Sequence, residues 1–131
     1  MARKRMRVRL GDEVGIAELF EDKAPATVAA VWAGLPIDGT VNHANFSGEE
    51  TTFPCYGLMW QRENEGHETQ PGDLGYFVTG PAICIYYGDQ NVISPGNVFG
   101  RVVENLAGIQ RVARASWKQQ RVPVLLERME D

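Results

Sequence analysis

The chain has 131 residues, of which 44% are hydrophobic and 23% are charged, and its net charge is −4. These values are ordinary for a globular protein. A chain of this length buries roughly two thirds of its unfolded surface, so it can fold without a disulfide or a structural metal. No apolar run approaches the ~20 residues that cross a bilayer, and no apolar segment follows the basic N-terminus as it would in a secretory signal. We therefore expect a soluble, cytoplasmic protein that folds as one domain over residues 1–131 and has no membrane partner.

The cysteines and histidines do not form a metal-binding pattern. Cys55 and Cys84 each lie in an apolar stretch, which favours buried, reduced thiols over a disulfide in a cytosolic chain. His43 and His67 lie far apart, and no Cys-x-x-Cys pair accompanies them. We predict neither a metal site nor a cofactor.

The basic N-terminal segment predicts a strand. Arginines at positions 5, 7 and 9 alternate with apolar residues, as on the solvent face of a half-buried strand over Met6 to Leu10. A turn at 11–13 and a second apolar run, Val14 to Phe20, complete a β-hairpin. The alternative is a nucleic-acid-binding arm, but no aromatic residues are interleaved with these charges. We predict no nucleic-acid partner.

The pattern becomes helical from Ala24, where Pro25 suits a first turn and Gly34 with Pro36 ends the segment. The apolar positions at helical spacing are Val28, Val31, Trp32 and Leu35. A second helix is predicted from Asn105, a suitable N-cap. Its apolar side is formed by Leu106, Ile109, Ala113 and Trp117, and its solvated face by Arg111, Arg114 and Lys118. We expect Val28, Val31, Trp32, Ile109 and Trp117 to be largely buried.

The rest of the chain alternates between strand-forming runs and turns. The runs are Thr40–Phe46, Thr51–Tyr56, Leu74–Val78, Ala82–Tyr87, Asn97–Val103 and Val122–Glu127. No internal repeat or low-complexity linker divides them. Many strands with two separated helices predict a mainly β fold, a closed or nearly closed antiparallel β-barrel with two covering helices.

Three segments resemble cyclophilins, and they occur in cyclophilin order. They are Gly15–Val28, Pro71–Phe77 and Val98–Glu104 with the apolar helix that follows, together about half of the chain. The resemblance implies a cyclophilin-like barrel.

The same resemblance weakens the case for prolyl isomerisation. Cyclophilins are understood to bind the twisting prolyl amide with an arginine that follows a Phe-His pair, just after an Asp-Gly-Thr-like turn. The turn is present as Asp38-Gly39-Thr40, but Asn42 stands at the phenylalanine position and Ala44 at the arginine position. Arg62 and Arg101 are the alternative donors, although Arg101 matches a basic strand residue outside the cyclophilin groove.

A narrower resemblance concerns scattered polar motifs. They resemble those of a group of uncharacterised bacterial cyclophilin-like proteins. The motifs are His43–Glu50, Glu63-Asn64, Pro71-Gly72-Asp73, Tyr87-Gly88 and Gly96–Phe99. We predict that these motifs supply a ligand-binding site. Its residues are His43, Asn45, Glu50, Glu63, Asn64, Tyr87 and Asn97.

The function of such a site is left open by the sequence. The segment from His43 to Glu50 has the composition of a polar ligand site or an acid/base site, and the alternative is a hydrogen-bonded strand residue followed by a solvated turn. A Cys55–His43 nucleophile pair is a further formal possibility. The leading hypothesis is a module that binds a small polar molecule or peptide in a pocket at the barrel end. A residual prolyl isomerase and a structural subunit of a larger assembly are the alternatives, and homo-oligomerisation stays open.

Overall fold

The computed structural model describes residues 3–44, 48–66, 69–90 and 96–129. Within these ranges the strands are β1 (Arg5–Leu10), β2 (Glu13–Leu19), β3 (Ile37–His43), β4 (Gly48–Pro54), β5 (Glu65–Gly66), β6 (Asp73–Phe77), β7 (Ala82–Gln90), β8 (Gly96–Glu104) and β9 (Val122–Met129). The helices are α1 (Pro25–Gly34) and α2 (Leu106–Ala115).

The strands form one closed sheet. Their order is β2-β1-β9-β3-β4-β7-β6-β8, and β8 pairs back with β2, so the sheet closes on itself. Every pairing is antiparallel, including that of β1 with β9, which runs from Arg5 opposite Met129 to Leu10 opposite Val124. The short β5 adds to β8 beside the barrel. The prediction of a mainly β, closed antiparallel barrel with two helices is confirmed, and β5 is an element that the sequence did not predict.

The basic N-terminal segment forms β1, and its arginines lie on the outer face of the barrel. Its three apolar residues are fully buried, as the two-residue alternation predicts. The arginines between them contact carboxylates at neighbouring strands. Arg5 pairs with Glu104, and Arg9 donates from Nε to Oε1 of Glu127 at 2.8 Å. These charges are therefore neutralised within the barrel wall.

Helix α1 begins at Pro25, which occupies the first turn as predicted, and it buries Val28 and Val31. Trp32 is partly buried and packs against the core, so its burial is less complete than that of Val28 and Val31. Its ring lies under the guanidinium of Arg128, whose carbon Cζ is 5.1 Å from the ring centre. A cation over the face of this indole stabilises a side chain that is only partly buried.

Helix α2 buries Ile109 as predicted, but Trp117 is 49% exposed and contradicts the expectation of burial. The physical reason is that α2 ends at Ala115, so the helical periodicity does not extend to position 117. Asn105 stands at the N-cap in a left-handed conformation, with φ of 58°, and its side chain makes no cap hydrogen bond. Its amide instead donates to Oε1 of Glu13 at 2.9 Å, which ties the start of α2 to β2.

In the part of the chain that the structure describes, no helix is long and apolar enough to cross a membrane. The thiols of Cys84 and Cys55 are both free, the first buried and the second partly exposed. Among the same residues, no group of three or more histidine, cysteine or acidic side chains is arranged to hold a metal ion.

Candidate functional site

A cleft of about 1050 Å³ opens where α2 packs on the barrel, next to β3, β4 and β7. Its wall is predominantly apolar, with polar side chains at a few positions. The lining residues include His43, Glu49, Tyr87, Gln110, Arg114 and Trp117. A concave apolar surface of this size with a few converging polar groups is typical of small-molecule sites.

A hydrogen-bonded pair of polar side chains contributes to the cleft wall. Alternation along β3 places Val41 and His43 on the inner face, and alternation along β7 does the same for Ile85 and Tyr87. Nε2 of His43 and Oη of Tyr87 share a hydrogen bond of 2.6 Å, and both side chains are buried. The sheet therefore brings two groups from separate strands together in a fixed geometry.

Trp117 lies directly against this pair. Its ring meets the His43 ring edge-on, with centroids 4.3 Å apart and an interplanar angle of 82°. Two hydrogen bonds connect the turn after α2 to β3. Oε1 of Gln120 accepts the backbone N–H of His43 at 2.9 Å, and Oδ1 of Asn42 accepts the backbone N–H of Arg121 at 3.2 Å. These two bonds hold the indole beside the histidine.

Arg114 connects the helix to the strands across the cleft. Its guanidinium lies over the Tyr87 ring, 5.4 Å from the centroid, and its Nε donates to Oε2 of Glu49 at 3.0 Å. Gln110, one turn earlier, donates from Nε2 to the backbone oxygen of Tyr87 at 2.8 Å. A Cβ at position 88 would meet the carboxylate of Glu49, so glycine leaves room there for that side chain. The Tyr87-Gly88 motif thus lets Glu49 lie across β7.

The phenol of Tyr87 is a hydrogen-bond donor at neutral pH. Burial raises its pKa above the ordinary value, the carboxylate of Glu49 adds to this effect, and the guanidinium of Arg114 opposes it. The group therefore stays protonated, and its hydrogen-bond partner is an imidazole, a ring that offers both donor and acceptor nitrogens. Chemically, the pair can bind a polar group of a ligand or transfer a proton to it.

Three of the predicted residues lie in a different network, which surrounds the start of α1. The carboxylate of Glu63 accepts the backbone N–H groups of Thr27 at 2.8 Å and Ala26 at 3.2 Å, and the Thr27 hydroxyl donates to it at 2.8 Å. Partial burial would raise the pKa of Glu63, but these hydrogen bonds outweigh it and hold the pKa below its ordinary value. Glu63 therefore caps a helix that has no side-chain cap of its own.

Asn97, on β8, binds the loop that carries Glu63 to the barrel. It is fully buried, its Oδ1 accepts the backbone N–H of Glu63 at 2.9 Å, and its Nδ2 donates to the backbone oxygen of Gln61 at 2.9 Å. Asn64 donates from Nδ2 to the backbone oxygen of Val98 at 2.9 Å, with a φ of 52°. These contacts account for Glu63, Asn64 and Asn97 as structural residues.

Glu50 lies on the outer face of the barrel. It is directly opposite Tyr86 in the pairing of β4 with β7, so the sheet separates it from Tyr87. Glu50, Cys84 and Tyr86 are all buried there. Burial first, and the carboxylate of Glu50 next, raise the pKa of the Cys84 thiol, which keeps this thiol protonated and unreactive.

The predicted site residues thus fall into three places. His43 and Tyr87 line the cleft, Glu63, Asn64 and Asn97 hold α1, Glu50 lies on the outer face, and Asn45 is outside the described residues. Sequence reasoning missed the residues that α2 and β4 supply. The available signal is the spacing of Arg111, Arg114 and Lys118 at i, i+3 and i+7 with Trp117 beside them, a pattern that also fits a solvated helix face next to a core residue.

Comparison with known proteins gives the fold and the family. The structure of McbB in complex with tryptophan superposes with a TM-score of 0.84 at 20% identity over 96% of this chain, which spans 45% of McbB. The solution structure of the hypothetical protein AF2241 from Archaeoglobus fulgidus has a TM-score of 0.72 and 28% identity, and the match covers 98% of this chain and 96% of AF2241. No curated protein matches the sequence.

A family model described as a protein of unknown function, DUF3830, matches residues 8–127. This range begins within β1 and ends within β9, so it includes both helices, the cleft and all of the barrel wall except the start of β1 and the end of β9. The chain belongs to the DUF3830 family.

Proposed function

We propose that this protein binds a small organic molecule in the cleft between α2 and the barrel. The observation that carries the proposal is the His43–Tyr87 pair, two buried polar side chains joined at 2.6 Å in the wall of a largely apolar cleft. Such a combination offers apolar surface for affinity and a fixed polar contact for orientation. The half-exposed Trp117 beside the pair supplies an aromatic surface on which a ligand can lie.

The polar contact has a defined chemistry. In the tautomer that carries its proton on Nε2, His43 donates to the phenol oxygen of Tyr87, so the protonated phenol keeps its single proton for a ligand. A ligand group with an acceptor oxygen or nitrogen therefore fits this position. If the ligand is a substrate, the pair acts as the proton donor or acceptor.

McbB guides the choice of probes. That protein was solved with tryptophan bound, and its likeness to this chain supports the shared fold only. Tryptophan and related indoles therefore belong in a screen of small metabolites, alongside molecules without an aromatic ring.

A thermal-shift screen tests the proposal, with two matched tryptophan variants. Trp117 lines the cleft, whereas Trp60 is 76% exposed and is not among the cleft residues. We expect a ligand that raises the melting temperature of the unmodified protein. This rise should disappear in Trp117→Leu and Tyr87→Phe and persist in Trp60→Leu. A ligand whose effect is equal in Trp117→Leu and Trp60→Leu, or a screen without any ligand, contradicts the proposal.

We further propose that this barrel is cyclophilin-like without being a prolyl isomerase. Ala44, at the position of the isomerase arginine, has no side-chain donor. Of the two alternative donors, Arg101 bonds Asp73 at 2.6 Å and Arg62 lies 3.5 Å from Glu65. A proline-peptide assay should give only the uncatalysed rate, and acceleration by the protein would restore the isomerase hypothesis.

A further inference from the structure

The cleft carries a charge pattern that selects among small molecules. We propose that its ligand is a planar aromatic carboxylate, whose carboxylate group replaces that of Glu49 beside Arg114. This inference rests on the proposed function and adds the chemical class of the ligand. It follows from the charges of α2, from the pairing of each cation and from the aromatic surface beside them.

Cations dominate the ionisable groups of the cleft. Arg111, Arg114 and Lys118 line it from α2 and the turn that follows, whereas Glu49 is the one acidic side chain among its described lining residues. This excess of positive charge occurs in a chain whose net charge is −4. A concave, largely apolar surface concentrates the field of such groups and draws in anions.

The three cations differ in how they are engaged. Arg111 donates from Nη2 to Glu13 at 2.8 Å and to Asp12 at 3.0 Å, so its charge is already satisfied on the β1–β2 side. Lys118 has no carboxylate within 4.0 Å among the residues that the structure describes. Arg114 and Lys118 therefore form the place where an incoming anion is bound.

Glu49 occupies the position that a ligand carboxylate would take. Its Oε2 accepts from Nε of Arg114 at 3.0 Å, with the two side chains 33% and 56% exposed. Ion pairs this exposed contribute little to stability, so a ligand carboxylate can compete with Glu49 for Arg114. Arginine also binds carboxylates through two parallel N–H donors, which favours an incoming group that is free to align with its plane.

The aromatic part of the ligand is specified by the neighbouring rings. Trp117 stands edge-on to His43 and leaves about half of its surface exposed, and the Tyr87 ring lies beneath Arg114. Aromatic pairs prefer offset or edge-to-face contacts, which a planar ring in the cleft can make with Trp117. A carboxylate on a short arm from that ring reaches Arg114.

Three ligands with the same ring and different charge test the inference. Indole-3-propionate is an anion, tryptophan a zwitterion and tryptamine a cation. We expect titration calorimetry at low ionic strength to show that indole-3-propionate binds about tenfold more tightly than tryptamine, with tryptophan between them. Added salt should reduce this difference, because the cations are near the surface.

Charge variants separate the proposed role of Glu49 from a structural one. Arg114→Gln and Lys118→Gln should each weaken binding of indole-3-propionate about fivefold. Glu49→Gln should strengthen it, because the competing carboxylate is gone. Arg62→Gln, which removes a cation outside the cleft, should change nothing.

The outcomes distinguish this inference from the proposed function. Equal binding of tryptamine and indole-3-propionate, weaker anion binding in Glu49→Gln, or no binding of any of the three indoles overturns the aromatic carboxylate. If another ligand still depends on Trp117 and Tyr87, the cleft remains a binding site for a different chemical class. If no ligand in the screen depends on them, the proposed function fails together with this inference.

Discussion

Two polar regions of this barrel look alike in the sequence and differ in what surrounds them. The first, here called the α1 network, consists of Thr27, Glu63 and Asn97, and its hydrogen bonds end on backbone groups of α1 and the loop before β5. The second is the cleft, where His43 and Tyr87 bond each other in the wall of an open cavity. Buried polar groups stabilise a fold when protein atoms take up their bonds, and they are available to a ligand when a cavity adjoins them.

The difference follows from what each helix needs. Helix α1 has no side-chain cap of its own, so Glu63 reaches its free N–H groups from a distant loop. Helix α2 instead spans one side of a cleft, and its polar residues Gln110 and Arg114 contact the strands across it. Substitutions should therefore affect stability in the first region and ligand response in the second.

The largest stability effect is expected for Asn97→Ala. The variant leaves the partly buried backbone N–H of Glu63 and backbone oxygen of Gln61 without their present partner, and it removes a fully buried side chain. We expect the free energy of unfolding to fall by about 2–3 kcal/mol, measured by urea denaturation. Ligand-induced stabilisation through the cleft should persist. A loss below about 0.5 kcal/mol would show that this network is not structural.

A smaller effect with a distinct pH signature is expected for Glu63→Gln. Losing the charge at the start of α1 should cost about 1 kcal/mol at neutral pH. The pKa of Glu63 is lowered in the folded protein, so its contribution is complete above the unfolded value of about 4.3 and is lost as the pH falls through the folded pKa.

Urea denaturation across the acid range measures this signature. The two proteins should converge in stability at low pH, because protonation removes in the unmodified protein what the variant lacks throughout. A constant difference down to the lowest pH would mean that shape, not charge, is what Glu63 supplies.

The smallest stability effect is expected for Arg114→Gln. Its ion pair with Glu49 is exposed, so the free energy of unfolding should change by less than about 1 kcal/mol. The response to anionic ligands should nevertheless fall, which is the reverse of the result for Asn97→Ala. If Arg114→Gln instead destabilises the protein as much as Asn97→Ala, the contrast between the two regions is wrong.

Local patterns were sufficient to predict the barrel and its helices. The alternation along β1 and the helical spacing around Val28 and Val31 each place nearby apolar residues on one face, and that face is the buried one. The two-residue strand β5 is too short to carry such a pattern. Trp117 was misplaced because periodicity does not show where a helix ends, and α2 ends two residues before it.

The site could be predicted only in part, because polar residue types do not specify their partners. Glu63 and Asn97 have the composition of a ligand site, and only tertiary contacts with α1 and its loop reveal their structural role. Arg114 has the pattern of a solvated helix residue, and only the packing of α2 against β4 and β7 brings it over Tyr87. In both regions, the partners of a polar side chain are decided by contacts between distant parts of the chain.

The pairing of β1 with β9 also governs how the protein folds. These strands are the first and the last of the described strands, and β9 separates β1 from β3 in the sheet. Until β9 is in place, the facing edges of β1 and β3 have no partner, although the β1–β2 hairpin can form locally. Contacts of such large sequence separation require the closure of long loops, which makes folding slow. A newly synthesised chain therefore exposes two unpaired strand edges until its last strand is available, and in that interval it is most prone to pair with another chain.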